Sequence, residues 1–361
     1  MNELEKQLDY PHGDTLPPLG TTLEVAPGVR WLRMLLPFQL DHINLWLLRD
    51  RIEFDEGPVD GWTLVDCGID NPATRTAWEQ IFANDLGGLP VLRVVATHMH
   101  PDHLGLSHWL TERWSKPGRD CRLWISATDY QVAVQASTVR TGFGGAATAR
   151  FFEMHGLTNA DWLEQITQRT HYYVSMVPKV PAHYRRMIDG DTLRIGGRDW
   201  HCHAGHGHSP EHISLHCAEL DTLISGDMVL PRISTNVSVH ETEPESNPLT
   251  QYLDSIGRTK AHLPAGTLVL PSHGRPFKGL HTRIDQLAAH HHERFADVLA
   301  ACAEAPLSAA DLLPVIFKRA LDLHQTTFAM GESLAHLHAL WHRGLLKRRL
   351  DGAGVYRFTK A

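Results

Sequence analysis

Long apolar runs are missing from this chain of 361 residues. None approaches the ~18 consecutive apolar residues of a membrane-spanning helix, so a membrane partner is not expected. Paired cysteines are missing as well: Cys67, Cys121, Cys202, Cys217 and Cys302 are scattered, with no Cys-x-x-Cys among them. That spacing excludes a disulfide framework and a thiolate zinc knuckle and points to a reducing compartment. No secretory leader is visible, because Glu3, Glu5 and Lys6 place charges of both signs before any apolar stretch. The expectation is a cytoplasmic protein. An excess of one charge is also absent. Lys and Arg number 34 against 41 Asp and Glu, a formal −7. About a quarter of ordinary histidines are protonated at pH 7, which brings the chain near neutrality, so its charge names no partner.

What is present in excess is histidine, 26 residues, which directs attention to metal or proton chemistry. A 42% hydrophobic and 21% charged composition supplies an ordinary globular core. At about 150 residues per domain, the length suggests two domains or one large domain with an appendage.

Residues 1–20 read as a polar, Pro-rich arm. Strand-like segments at 29–36, 42–48, 62–65, 92–96 and 122–125 alternate with helical ones at 71–83 and 104–114, the signature of a layered α/β domain. Residues 127–188 break that rhythm and read as a helical insertion, with Thr158 to Asp161 resembling a capping box. Strands resume at 192–195, 199–203, 213–217, 222–225 and 268–270, with a helix near 248–263. The hydrolase-sized unit is therefore 1–300. Residues 306–361 carry eight Lys and Arg against four Asp and Glu. They read as a helix at 308–321, a second with an apolar face at Leu334, Leu337, Trp341 and Leu345, and a hairpin around Asp351 to Gly354. Helices followed by a basic hairpin suggest a small winged-helix-like domain. His290, His291, His292, His336 and His338 read as solvated helix faces.

The decisive string is Thr97-His98-Met99-His100-Pro101-Asp102-His103-Leu104-Gly105, directly after an apolar strand. Alternation lets His98 and His100 approach one cation from one side, while Asp102 and His103, a turn later, face a second. Four groups cannot complete two coordination spheres. Three later strand ends offer the rest: the run from Gly205 to His212 an imidazole, from His206 or His208; Asp227 a carboxylate; and His273 another imidazole. His212 and His216 read as packed or supporting residues. Histidine pairs after a strand also occur in amidohydrolase barrels, but there the pair sits near the chain start without an adjacent Asp-His.

Asp66-Cys67-Gly68, the 98–103 string, His208-Ser209-Pro210, Gly226-Asp227 and His273-Gly274 together resemble the metallo-β-lactamase superfamily, in particular its glyoxalase II-like hydrolases with a C-terminal winged helix. The resemblance spans about residues 20–300. It implies an α/β fold, an αββα four-layer sandwich with the metals at one end of its two sheets. Carried over by position, it assigns His98, His100 and His208 to the first metal and Asp102, His103 and His273 to the second, with Asp227 bridging. Asp66 stands where the family keeps a carboxylate behind a ligand. Two departures stand out: Gly205-His206-Gly207 stands where the family usually has Thr-Pro-Gly before the third-motif histidine, and Glu211 replaces a common glycine.

The reading that follows is a metal-dependent hydrolase with two divalent ions, zinc first and iron or manganese as alternatives. A hydroxide shared by the ions would be the nucleophile, and Asp102 and Asp227 are the catalytic carboxylates. A thioester of glutathione or coenzyme A type is the leading substrate class, because a thiolate leaves near its pKa of ~8.5 without a general acid. Lactones and carboxylic esters follow, then phosphodiesters such as RNA. The non-enzymatic alternative is a metal-bound DNA-binding regulator using the basic hairpin. The expected partner is a small molecule, with a homodimer and a nucleic acid as the other candidates. Tyr130, Phe143, Phe151, Phe152, Trp162, Tyr172, Tyr173 and Tyr184 make the 127–188 insertion the candidate lid. Arg140, Arg150, Arg185 and Arg186 are its candidate anion contacts.

Overall fold

A computed structural model of the protein describes residues 3–138 and 144–361. Its first sheet has seven strands in chain order. They are β1 (Leu23–Ala26), β2 (Val29–Leu35), β3 (His42–Phe54), β4 (Gly57–Val65), β5 (Val91–Val95), β6 (Arg122–Ser126) and β7 (Tyr184–Met187). β1 to β4 are antiparallel neighbours, and β4 to β7 run parallel. The second sheet holds β8 (Thr192–Ile195), β9 (Arg198–Gly205), β10 (His212–Cys217), β11 (Thr222–Gly226) and β12 (Leu268–Pro271), mirror-ordered from β12 to β8.

The parallel crossovers are made by α1 (Pro72–Asn84), then α2 (Pro101–Leu104) with α3 (Ser107–Trp114), then α4 (Ala127–Thr138), α5 (Ala146–Glu153) and α6 (Ala160–Gln168). Asn71 starts α1 by accepting from the Thr74 amide, and Pro72 occupies the first turn, where it forfeits no helical hydrogen bond. α7 (Pro248–His262) and α8 (Leu280–Glu304) cover the second sheet. α9 (Leu313–Ile316), α10 (Leu323–His342) and the hairpin β13 (Leu346–Leu350) with β14 (Tyr356–Lys360) complete the chain.

Three apolar clusters define the layers. Ala77, Trp78, Ile81 and Leu110 pack under the first sheet with Leu64 and Val94. Trp31, Trp46, Val65, Trp200, Ile213 and Ile224 fill the space between the sheets. Leu249, Ile256, Leu287 and Val298 cover the second sheet from outside. This is the αββα sandwich. β5 and β10 are buried along their whole length, as strands covered on both faces must be.

A buried ion pair is among the polar ties that cross the sandwich. The buried Asp50 carboxylate accepts from Thr63 Oγ1 at 2.6 Å, Arg93 Nη2 at 2.8 Å and the Gly196 amide at 2.9 Å. Arg93 Nη2 also donates to Arg194 O at 2.8 Å. Gly196 and Arg194 belong to the β8–β9 corner of the second sheet, so the pair fixes one sheet's position over the other.

Several sequence expectations are corrected. The 127–188 insertion is not wholly helical, because Tyr184–Met187 returns as a strand of the first sheet. Asn159, not Thr158, caps α6 by accepting from Trp162 N. The helix expected over 308–321 shrinks to Leu313–Ile316. There Ser308 and Asp311 bond each other in a closed turn, and Pro314 offers no amide to Ala310. Leu345 lies past the end of α10 and is exposed. His291, His336 and His338 are fully buried, not solvated. His291 Nδ1 meets His336 Nε2 at 3.2 Å between α8 and α10, and His338 Nδ1 donates to Ser246 O at 2.9 Å. Leu334, Leu337 and Leu340 of α10 belong to the same cluster as Leu249, Leu287 and Phe152, so the last segment shares its core with the second sheet's helical cover and the insertion.

The Asp50 tie sets the first prediction. Asp50→Ala leaves the Arg93 guanidinium buried without a counter-charge and should destabilise the fold by about 3–5 kcal/mol, read from denaturant unfolding. A loss below about 1 kcal/mol would mean that the sheets do not depend on this tie.

Candidate metal centre

β5 ends below the site, and residues 96–100 turn across the sandwich's end into α2. The 98–103 string thus sits on a strand-to-helix loop, with His100 preceding Pro101 at the first helical position. The loop after β9 brings His208, the end of β11 brings Asp227, and the end of β12 brings His273.

These side chains converge in two nests. In the first, His98 Nε2, His100 Nδ1 and His208 Nε2 lie 2.9–3.1 Å from one another. In the second, His103 Nε2 and His273 Nε2 stand 3.7 and 3.4 Å from Asp102 Oδ2. Asp227 joins the nests: Oδ1 lies 3.6 Å from His103 Nε2 and 3.5 Å from His273 Nε2, while Oδ2 lies 3.2 Å from His208 Nε2.

These residues fit divalent cations. Ligand atoms arranged tetrahedrally at metal distances of about 2.0–2.1 Å stand roughly 3.4 Å apart, close to the spacing of the second nest. His103 Nε2 and Asp227 Oδ1 are buried without a hydrogen-bond partner, an arrangement that is costly unless a cation completes it. Three overlapping triads, His98–His100–His208, His98–His103–Asp227 and Asp102–His103–His273, each bring ligand atoms close enough to share one ion.

Hydrogen bonds behind the imidazoles leave the inward nitrogens free to ligate. His208 Nδ1 donates to Asn236 O at 2.7 Å, and His273 Nδ1 to His42 O at 2.7 Å. His103 Nδ1 meets Asp66 Oδ2 at 2.8 Å. Such partners set the tautomer and aim the ring. Asp66 also accepts from Thr97 N at 2.7 Å and from Thr97 Oγ1 at 3.0 Å. It does so with φ at 62°, an uncommon conformation for a residue with a Cβ.

The electrostatics divide the nests. Burial, reinforced by neighbouring imidazoles, holds His98 and His100 well below the usual histidine pKa, in the neutral form that ligates metal. Burial would lower His103 too, but Asp66, Asp102 and Asp227 raise it to about 10. Asp227 is held well below the carboxylate range by His273 and His103 against the opposing effect of burial. The second nest is thus rich in negative charge and calls for a cation.

His212 lies outside the triads. Its Nε2 accepts from the Asp227 amide at 3.2 Å, so it supports the backbone of the bridging residue. Gly226 is required there: a Cβ would stand 2.1 Å from His212 Nε2. His206 turns away, its Nδ1 donating to Pro210 O at 2.7 Å. Of the two candidates in that motif, the structure brings His208 to the nest.

Sequence reasoning missed Asp129. This buried carboxylate accepts from Met99 N at 2.9 Å and Glu211 N at 2.7 Å, binding the loops that carry His100 and His208 to each other. Its only sequence signal is Ser126 three residues earlier, which reads as an ordinary helix start. Tyr173 was expected in a lid but donates to Met99 O at 2.6 Å. Phe143 and Arg140 lie outside the described residues. Tyr130, Phe151 and Phe152 are largely core, and Trp162 and Tyr184 pack at its edge. Arg150 and Arg186 are exposed, and Arg185 lies over Trp124 at 4.7 Å. A cavity of about 220 Å³ opens beside His100 and His208, with Met99, Val132, Pro210 and His240 among its walls.

Comparison with known proteins agrees with this geometry. The Metallo-beta-lactamase superfamily profile matches residues 41–273, and the profile of the Metallo-beta-lactamase-like C-terminal domain matches 295–361. The chain belongs to the metallo-beta-lactamase superfamily. It is similar over its full length to the crystal structure of a beta-lactamase domain protein from Burkholderia ambifaria, at 54% identity, TM-score 0.92 and complete coverage of both chains. It resembles the metallo-beta-lactamase family protein TTHA1429 from Thermus thermophilus at 28% identity and TM-score 0.73, over 94% of this chain and 100% of that one. A curated relative, the probable metallo-hydrolase YqjP of Bacillus subtilis (strain 168), is 24% identical across 90% of this chain and 96% of its own length.

The geometry predicts different fates for the two neighbouring histidines. His208→Ala should lower the metal content found by elemental analysis, whereas His206→Ala should leave it at the wild-type value. Equal losses would contradict the assignment of His208 to the first nest.

Proposed function

We propose that this protein is a dinuclear metal-dependent hydrolase acting on a thioester of glutathione or coenzyme A type. The observation that carries the first part is Asp227, whose two carboxylate oxygens face the two nests separately. His98, His100 and His208 would hold one ion, Asp102, His103 and His273 the other, and Asp227 both. Two such ions, zinc or else iron or manganese, supply a water ionised near neutral pH and Lewis-acid polarisation of the substrate carbonyl. Asp102 and Asp227, both only slightly exposed, are the carboxylates able to orient that water and accept its proton. Asp66 and His212 hold these groups in place.

The nature of the leaving group supports a thioester. His240, in the cavity wall, is lowered to about 4 by burial and the neighbouring His208, so at neutral pH it is a neutral imidazole and not an imidazolium acid for an alkoxide. A thiolate needs none. Tyr172, raised to about 12 by burial, remains a protonated phenol near Asp102 and favours a carboxylic ester or lactone as the second reading.

A nucleic-acid substrate has weaker support. Among the described residues no Lys or Arg lines the cavity beside the nests. In the hairpin, Arg348 pairs with Glu245 and stacks over Trp341 at 4.0 Å, so it is engaged internally. The order α9, α10, β13, β14 still supports a winged-helix reading of 306–361, and exposed Leu345 and Leu350 support self-association there. All five cysteines are buried and unpaired, in keeping with a reducing cytoplasm.

The test is a hydrolysis screen of zinc-, iron- and manganese-loaded protein across thioesters, esters, lactones and bis-phosphate esters. Thioesters should give the highest kcat/KM, and Asp227→Ala should lower it at least about 100-fold. Turnover of phosphodiesters alone would overturn the thioester reading.

A further inference from the structure

A smaller recess adjoins the cavity beside the nests, with Ser238 and His240 lining both. Arg169, the residue that ends α6, lines it together with Phe152, Tyr172, Glu241 and Phe328. Phe328 comes from α10, so the recess lies between the insertion and the C-terminal segment. The guanidinium of Arg169 stands over the Tyr172 ring at 5.3 Å. Its Nη2 is buried and makes no hydrogen bond, and no carboxylate among the described residues forms an ion pair with it. Glu241, in the same recess, is hydrogen-bonded by Thr148 and raised above the usual range by burial. Asp322, on the outer side, accepts from Gln325 N as the cap of α10. A half-buried arginine with an unused donor beside a catalytic cleft is an energetic cost unless an anion completes it.

We propose that Arg169 anchors a carboxylate carried by the substrate, at the end away from the scissile bond. The planar fork of a guanidinium matches a carboxylate with two parallel hydrogen bonds. The size of the recess agrees: at about 40 Å³ it holds the equivalent of roughly three waters, room for a carboxylate but not for a nucleotide phosphate with its sugar. Tyr172 and Phe328 would flank the methylenes leading to it. The proposal rests on the hydrolase reading and narrows its substrate to acids. The carboxylate can belong to the acyl group or to the thiol, as it does in glutathione.

The experiment uses the metal-loaded full chain, wild type and the Arg169→Gln and Arg169→Lys variants. The substrates are S-phenyl thioesters of glutarate and of valerate, and the valeryl thioester of glutathione. Wild type should favour one acid substrate over S-phenyl thiovalerate by about tenfold or more, and Arg169→Gln should erase that preference through KM while leaving the neutral substrate unchanged. A preference for glutaryl places the carboxylate on the acyl side, and one for glutathione places it on the thiol. Arg169→Lys, with charge but no fork, should recover only part of it. Isothermal titration with glutarate and valerate gives a readout independent of turnover: glutarate should bind more tightly to wild type and equally to Arg169→Gln. Turnover without discrimination, or an equal fall on acid and neutral substrates in the variants, overturns the anchor. If no substrate is turned over, the thioester reading fails, and the glutarate titration alone decides whether Arg169 is an acid-binding site.

Discussion

The centre depends on one buried carboxylate that touches no proposed ion directly. Asp66 follows β4, fully buried, and reaches Thr97 through both backbone amide and hydroxyl and His103 through Nδ1. Those contacts span the junction where β5 gives way to the 98–103 loop. They fix the start of that loop and the ring that faces the second nest together. The left-handed backbone at Asp66 shows that surrounding structure holds it there against its own preference. A carboxylate can bear that cost in a dry interior only where charge complementarity repays it, and His103 beside it is raised to about 10.

The same logic runs outward. His208, His273 and the Asp227 amide are each held by a group from another segment: Asn236 O, His42 O and His212 Nε2. Asp129 ties the 98–103 loop to the loop that carries His208, and Asn44 donates to Pro271 O and Gly274 O on either side of His273. Ligand loops contributed by both sheets are thereby mutually constrained, and the Asp50–Arg93 tie keeps the two sheets in register at another point of the sandwich. Pre-organisation of this kind lets a site hold cations with little rearrangement.

How much of this was legible in the sequence follows from the range of each interaction. The 98–103 string was legible because metal ligation demands particular residue types at close spacing, and His208, Asp227 and His273 because each follows a strand. Strand positions were legible from apolar runs such as 92–96 and 213–217. Asp129 was not, because its role is to bond amides at Met99 and Glu211, and nothing local records a partner that distant. The buried histidines of α8 and α10 were misread for a related reason. One ring nitrogen of each is bonded inside the core, His291 Nδ1 to His336 Nε2, His336 Nδ1 to Glu332 O and His338 Nδ1 to Ser246 O, so a face that looks hydrophilic in sequence packs as core. Arg169 carries no local signal either, because the recess it lines is closed by Phe328 of α10, far away in the chain.

The central claim is that the buried network around Asp66 tunes the second nest for a cation. Asp66→Asn keeps the shape of the side chain while removing its charge, and zinc binding to apo-protein in metal-buffered solution reads the consequence. The account predicts that one zinc still binds as in wild type while the affinity of the second falls about 10- to 100-fold. Two zinc ions bound with unchanged affinities would contradict it.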